Sequence, residues 1–143
     1  MKHTVIPSVN VFVVRDDKIL LGRRADTGWM DGYLCPPGGH VEPYETPRLA
    51  MLREIREELG VDIDPADLEF VCVAVRNTTP TEYVGYEFAI NDKGYEFYNA
   101  EPDKCSELVW ADVKELPDDI VAHFNEIITE GLLGGTPYLE IGY

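Results

Sequence analysis

The stretch GHVEPYETPRLAMLREIREELGV, from Gly39 to Val61, decides how the rest of the chain is read. Local rules make its middle a helix. Thr46 offers a hydroxyl cap, Pro47 suits a first helical position where no N–H is needed, and Gly60 suits the left-handed residue that closes a last turn. With residues about 100° apart around the axis, Leu52, Ile55 and Leu59 share one side, while Glu54, Glu57 and Glu58 gather roughly opposite. The apolar side predicts packing on a core.

The acidic side has two readings. A solvated charged face is the ordinary one. Against it, like charges at these spacings destabilise a helix by roughly a few tenths of a kcal/mol per pair, and Arg53 and Arg56 are placed toward the flanks. A bound hard cation would supply the missing charge, and magnesium is the cation that pairs with phosphates while keeping its waters. Upstream, Pro37-Gly38-Gly39 reads as a tight turn, where glycine tolerates positive φ and close approach and brings carbonyls toward the same face. Glu42 and Glu45 follow in the loop entering the helix.

Working outward, the 143 residues show no repeat, linker or low-complexity tract, which predicts one domain over 1–143. A chain of this length buries roughly 70% of the surface exposed when unfolded. With 27 acidic against 12 basic residues the net charge is −15, which repels nucleic-acid polymers and anionic membranes. A phosphorylated substrate therefore needs a local attractor. No apolar run approaches the roughly 18 residues of a membrane span, and the first residues run into a strand pattern with no cleavage site, so a cytoplasmic protein is expected. Cys35, Cys72 and Cys105 are odd in number and far apart, which favours free thiols over a disulfide framework or zinc site.

Before the helix, Val9–Arg15 and Ile19–Arg23 read as a hairpin turning at Asp16-Asp17-Lys18, followed by an irregular aromatic loop over Ala25–Pro37. After it, strands are predicted at Leu68–Val75, Tyr83–Ile90, Tyr95–Tyr98 and Leu108–Val113. A second helix is predicted from Leu116-Pro117-Asp118 to about Leu133, burying Ile120, Val121, Phe124, Ile127 and Ile128 and leaving His123 and Glu126 to solvent. The tail from Gly134 to Tyr143 either covers a neighbouring subunit or lies on the surface. Hairpins outnumber crossovers, so the fold class is α/β, a sandwich with a mixed sheet and a helix on each face.

Gly39, then Glu45, then Arg53-Glu54-Ile55-Arg56-Glu57-Glu58-Leu59-Gly60-Val61 resembles the signature of the Nudix hydrolases at every fixed position. Tyr44 departs from the glycine of many relatives, at an unconstrained position. The resemblance extends over nearly the whole chain and implies a Nudix α/β/α sandwich, magnesium (or manganese) dependence, and cleavage of a diphosphate linkage. It further implies that Glu57 and Glu58 are metal ligands, Glu54 a further ligand or the base, the Gly39 carbonyl a ligand, and Arg53 with Glu45 the support of the loop. Glu101 is the alternative base, or a solvated turn residue. The resemblance admits a homodimer, testable by light scattering.

Arg23, Arg24, Trp29 and Tyr33, with Tyr83 and Tyr86, are candidates for substrate contact, against core packing or plain surface positions. Leu20-Leu21-Gly22-Arg23-Arg24, Gly28-Trp29, and Glu101 to Cys105 with Trp110 are similar to Nudix members acting on nucleoside triphosphates, including oxidised ones. The expected reaction gives a nucleoside monophosphate and pyrophosphate. ADP-ribose or nucleotide-sugar hydrolysis is the alternative, and a non-catalytic nucleotide-binding module is the reading outside enzymes.

Overall fold

Strand β1 (Ile6–Phe12) begins a five-stranded mixed sheet, in the computed structural model covering Met1–Tyr143, with the order β5-β1-β7-β6-β9. Its other members are β5 (Gly38–His40), β6 (Leu68–Asn77), β7 (Glu82–Ile90) and β9 (Tyr138–Ile141). β1 runs parallel to β7 and β6 parallel to β9, while the β1–β5 and β6–β7 pairs are antiparallel. A second, antiparallel sheet is built on β3 (Lys18–Arg24), which pairs with β2 (Val14–Arg15), β4 (Leu34–Cys35) and β8 (Cys105–Asp112).

The mixed sheet expected from the sequence is the five-stranded one, and the antiparallel sheet stands beside it. Val9–Arg15 is not one strand of a hairpin: the chain leaves the first sheet after Phe12 and joins the second at Val14. Asp16 and Asp17, at φ 52° and 60°, make the turn into β3, a conformation that short polar side chains tolerate.

Helix α1 (Pro47–Leu59) forms as its ends predict: Thr46 Oγ1 accepts from the Leu49 N–H at 3.2 Å, and Gly60, at φ 69°, donates its N–H to the Arg56 carbonyl. It buries Ala50, Met51, Ile55 and Leu59 against Val9, Val11 and Phe88, whereas Leu52 is only half-buried. On the opposite face of the first sheet, Phe12, Cys72, Ala74 and Leu139 pack against Phe124, Ile127 and Ile128. Alternation along β1 separates the cores, with Val9 and Val11 toward α1 and Phe12 toward the second helical segment. The result is an α/β/α sandwich.

Three expectations change. The second helix starts at Ala122 (α2, Ala122–Glu126) and continues as a π-helical segment over Ile127–Leu133. Residues before it are drawn into extended pairing with β4: Leu34 N–H donates to Asp119 O and Val121 N–H to Leu34 O, both at 2.9 Å. Tyr95–Tyr98 forms no strand: its backbone bonds to Arg15, Asp92 and the Leu59 carbonyl, while Tyr95 and Phe97 pack against the α1 core. The tail is a sheet edge, with Tyr138–Ile141 pairing alongside Val73–Arg76. No helix is long and apolar enough to cross a membrane.

Candidate active site

A cleft of about 840 Å³ opens between the α1 end of the first sheet and the loop after β3. Its acidic side is made by α1 and β5. Gly38 and Gly39 do not turn: they form β5, with Gly38 opposite Asn10 and Gly39 opposite Val9. Neither adopts positive φ. Glycine is needed for approach, because a Cβ on Gly38 would lie 2.1 Å from the Val9 carbonyl oxygen and one on Gly39 would lie 2.3 Å from Glu54 Oε1.

That approach sets the carboxylates. The Gly38 N–H donates to Glu58 Oε2 at 2.8 Å. Burial, then the charge of Glu54, holds the Glu58 carboxyl well above the ordinary carboxylate range, with Glu101 adding to the effect and the Gly38 N–H opposing it. Burial likewise raises Glu54, against a bond from Arg53. Glu101 lines the same cleft close enough for its charge to act on both, and its neighbour Ala100 donates an N–H to the Glu58 backbone carbonyl at 3.0 Å. Glu57 is the exposed member, so the three glutamates do not share one solvated face.

Arg53 does not lie idle on a flank. It donates through Nε and Nη2 to the two oxygens of Glu45 at 2.8 and 2.9 Å, and through Nη2 to the His40 carbonyl at 3.0 Å. Its Nη1 donates to Glu54 Oε1 at 2.8 Å and Glu57 Oε2 at 3.4 Å. Part of the negative charge that looked uncompensated in the sequence is thus met, and what remains unmet is centred on Glu58. The forked bond with Arg53 lowers Glu45 to about 2. Arg56 pairs with Asp62, away from the cleft.

No three His, Cys, Asp or Glu side chains converge as a ready-made metal cage. Magnesium does not need one, since it is held through one or two carboxylates together with waters and substrate phosphates. Glu58, desolvated beside Glu54 and Glu101 with the Gly38 N–H as its hydrogen-bond partner, fits such an ion by charge and by hard oxygen donors.

The other wall carries the sequence-predicted substrate residues unequally. Arg24 and Trp29 line the cleft, with the Arg24 guanidinium 4.8 Å from the Trp29 ring centroid. Arg23 reaches the rim but is committed to Glu107 and Asp119, both at 2.7 Å, and to the Gly32 carbonyl at 2.8 Å. Tyr33 is exposed and lies outside the cleft lining. Tyr83 lines the cleft, whereas Tyr86, on alternate register, packs toward α1. Cys35 and Cys105 also line it, with burial raising both thiols, Cys35 to about 11, so neither is poised as a nucleophile.

His123 is not solvated as its helical position predicts. Its Nε2 lies 2.6 Å from Arg76 Nη1, its ring stacks with Trp29, and burial followed by the Arg76 charge lowers it to about 3. Arg76, Ser8 and Asn10 complete this end of the cleft. The sequence signal for this end of the cleft is polar residues at alternate positions of otherwise apolar strands, Ser8 and Asn10 on β1 and Arg76 and Glu87 on β6 and β7.

An α/β/α sandwich that holds a glycine strand against a glutamate-bearing helix, above a cleft with one acidic and one aromatic wall, defines a class of phosphate-handling domain. The Nudix domain family matches residues 4–130, and the chain belongs to that family. It is similar to the CTP pyrophosphohydrolase of Escherichia coli (strain K12), at 43% identity over 58 residues, 41% of this chain and 43% of that protein. Over 61 residues, 43% of this chain and 54% of that protein, it is 33% identical to the 8-oxo-dGTP diphosphatase of Proteus vulgaris. The matched stretches thus span about half the length of these relatives or less. A MutT Nudix hydrolase from Burkholderia pseudomallei superposes with a TM-score of 0.79 at 26% identity, covering 91% of this chain and 99% of that one.

Proposed function

We propose that the protein is a magnesium-dependent pyrophosphohydrolase that cleaves a nucleoside triphosphate, standard or oxidised, to a monophosphate and pyrophosphate. The observation that carries this reading is Glu58, a carboxylate desolvated among like charges in a cleft whose opposite wall is aromatic. A site of that kind calls for a cation on one side and offers a stacking surface on the other. The relatives named for CTP and 8-oxo-dGTP support the triphosphate as substrate class.

In this reading Glu58 and Glu57, with the Gly39 carbonyl, hold magnesium, and Glu54 is a further ligand or the base. When bound, the ion neutralises diphosphate charge and acidifies a water. The chain's own residues do the rest. Arg53 and Glu45 keep β5 and α1 in register so that Glu54 and Glu58 point into the cleft. Glu54, whose carboxyl burial raises, or Glu101, whose charge acts on Glu54, accepts the proton of the attacking water. Arg24, which lines the cleft within reach of the Glu58 charge and is held by the Trp29 carbonyl and Thr27 Oγ1, is the cation on hand for phosphate oxygens.

The test is a panel of nucleoside triphosphates, 8-oxo-dGTP, ADP-ribose and nucleotide sugars with magnesium, followed by product chromatography. Monophosphate and pyrophosphate, abolished by chelation and by Glu58→Gln, is the expected result. Turnover of ADP-ribose or sugar nucleotides without triphosphates overturns the substrate class, and binding without turnover of any compound overturns the enzyme reading.

A further inference from the structure

At the end of the cleft away from Glu58, Arg76 is 6% exposed yet lines the cavity. A guanidinium carries five N–H donors and no acceptor. Here Nη2 donates to Ser8 Oγ at 2.9 Å, Nη1 faces His123 Nε2 at 2.6 Å, and Nε is buried without a partner. His123, held neutral by its low pKa, accepts from Arg76. One bond on each terminal nitrogen leaves N–H groups unspent, so this end of the cleft is a surplus of donors.

The surroundings fix that surplus in place. Arg76 pairs in register with Tyr83, whose ring lies 4.9 Å beneath the guanidinium carbon. Trp29, half exposed and stacked on His123, stands beside it as a flat aromatic wall. Glu87, on β7 between the strands of Asn10 and Cys72, is fully buried, and neither of its oxygens has a hydrogen-bond partner. Burial raises its carboxyl to about 8, which leaves the Arg76 charge without a full counter-ion behind it. Buried polar groups left in this state are rare and call for a reason.

We propose that Arg76 selects the nucleobase, taking bases that present a carbonyl oxygen next to an unprotonated ring nitrogen. Guanine does so at O6 and N7 and cytosine at O2 and N3. Adenine sets an amino donor beside N7, and uracil sets the N3 hydrogen between its carbonyls, so each brings a donor against a donor. Trp29 supplies the stacking face, and Ser8 and His123 hold the guanidinium in place. This assignment rests on the nucleotide reading given above.

The experiment has two arms. Steady-state kcat/KM is measured for CTP, GTP, UTP and ATP with magnesium, and calorimetry measures binding of CMP, GMP, UMP and AMP without metal. CTP, GTP or both should exceed UTP and ATP by about tenfold or more, and the monophosphates should follow the same order. Arg76→Gln, which offers both a donor and an acceptor, should bring the ratio to within about threefold, acting mainly through KM. Ser8→Ala, a smaller change to the fold, should lower the same ratio through the lost Arg76 contact, and thermal unfolding confirms that each variant is folded. Equal turnover of all four bases, a preference for UTP or ATP, or a preference that survives Arg76→Gln and Ser8→Ala overturns the inference alone. Absence of triphosphate turnover together with absence of monophosphate binding overturns the nucleotide reading itself.

Discussion

Glu58 sits where stability and function pull apart. Its carboxylate is desolvated and repelled by Glu54 and Glu101, with the N–H of Gly38 set against that cost. An unpaired charge in such a place destabilises the fold, and a neutral isostere relieves it. Glu58→Gln should therefore raise the melting temperature of the metal-free protein while lowering kcat/KM by about 100-fold or more. Calorimetry and a pyrophosphate-release assay on the same sample check both signs. A variant that loses stability and keeps activity would reduce Glu58 to a structural residue. Arg53 poses the complementary case, because its fork engages both oxygens of Glu45 while Nη1 reaches Glu54. Lysine has the charge but not the fork, so Arg53→Lys should cost roughly 10- to 100-fold in activity with its charge retained.

At the scale of elements, the α1–β5 contact depends on two glycines that fail differently. A Cβ on Gly38 meets the Val9 carbonyl, which belongs to β1, paired on both sides by β5 and β7, and cannot move aside. A Cβ on Gly39 meets the end of the Glu54 side chain, which can. Gly38→Ala should thus lose about 1–3 kcal/mol of stability, whereas Gly39→Ala should unfold nearly as the parent does and lose activity through a displaced Glu54. Urea unfolding beside turnover distinguishes them. The helix itself was legible because Thr46, Pro47 and Gly60 act through their own backbone and need no distant partner. The late start of the second helix at Ala122 was not, since Leu34 bridges to Ile120 from far along the chain and overrides local helix preference. Nor was the division of Val9–Arg15 between two sheets, because alternation within a strand says which face a residue takes and not which neighbour it pairs with. The site divides the same way. Glu45, Arg53, Glu54 and Glu58 are near in sequence and carry a pattern, but Arg76, Glu87 and His123 meet only through sheet register and helix packing.

For the molecule as a whole, acid and alkali should act through different groups. Glu45, lowered to about 2 by Arg53, contributes stability that is present above the ordinary value of 4.5 and is lost as pH falls toward 2. Glu87 has the opposite sign. Its folded carboxyl, raised by burial to about 8 from an ordinary 4.5, binds a proton that the unfolded chain has already released between those values. Its contribution is complete below pH 4.5 and is lost as pH rises through about 8. Below pH 6.5 the buried neutral His123, lowered to about 3, works in the opposite sense, so it is between pH 6.5 and 8 that the metal-free protein should melt at falling temperature, by about 5 °C across the range. Glu87→Gln, a permanently neutral side chain of the same shape, should reduce that slope to the part that the buried Glu58 and Glu54 contribute, and leave the acid limb of Glu45 and His123 unchanged. Melting curves at successive pH values, at constant ionic strength, measure both limbs. A Glu87→Gln protein with the parent's slope would show that Glu87 is already ionised at neutral pH, with Arg76 as its full counter-charge across the sheet.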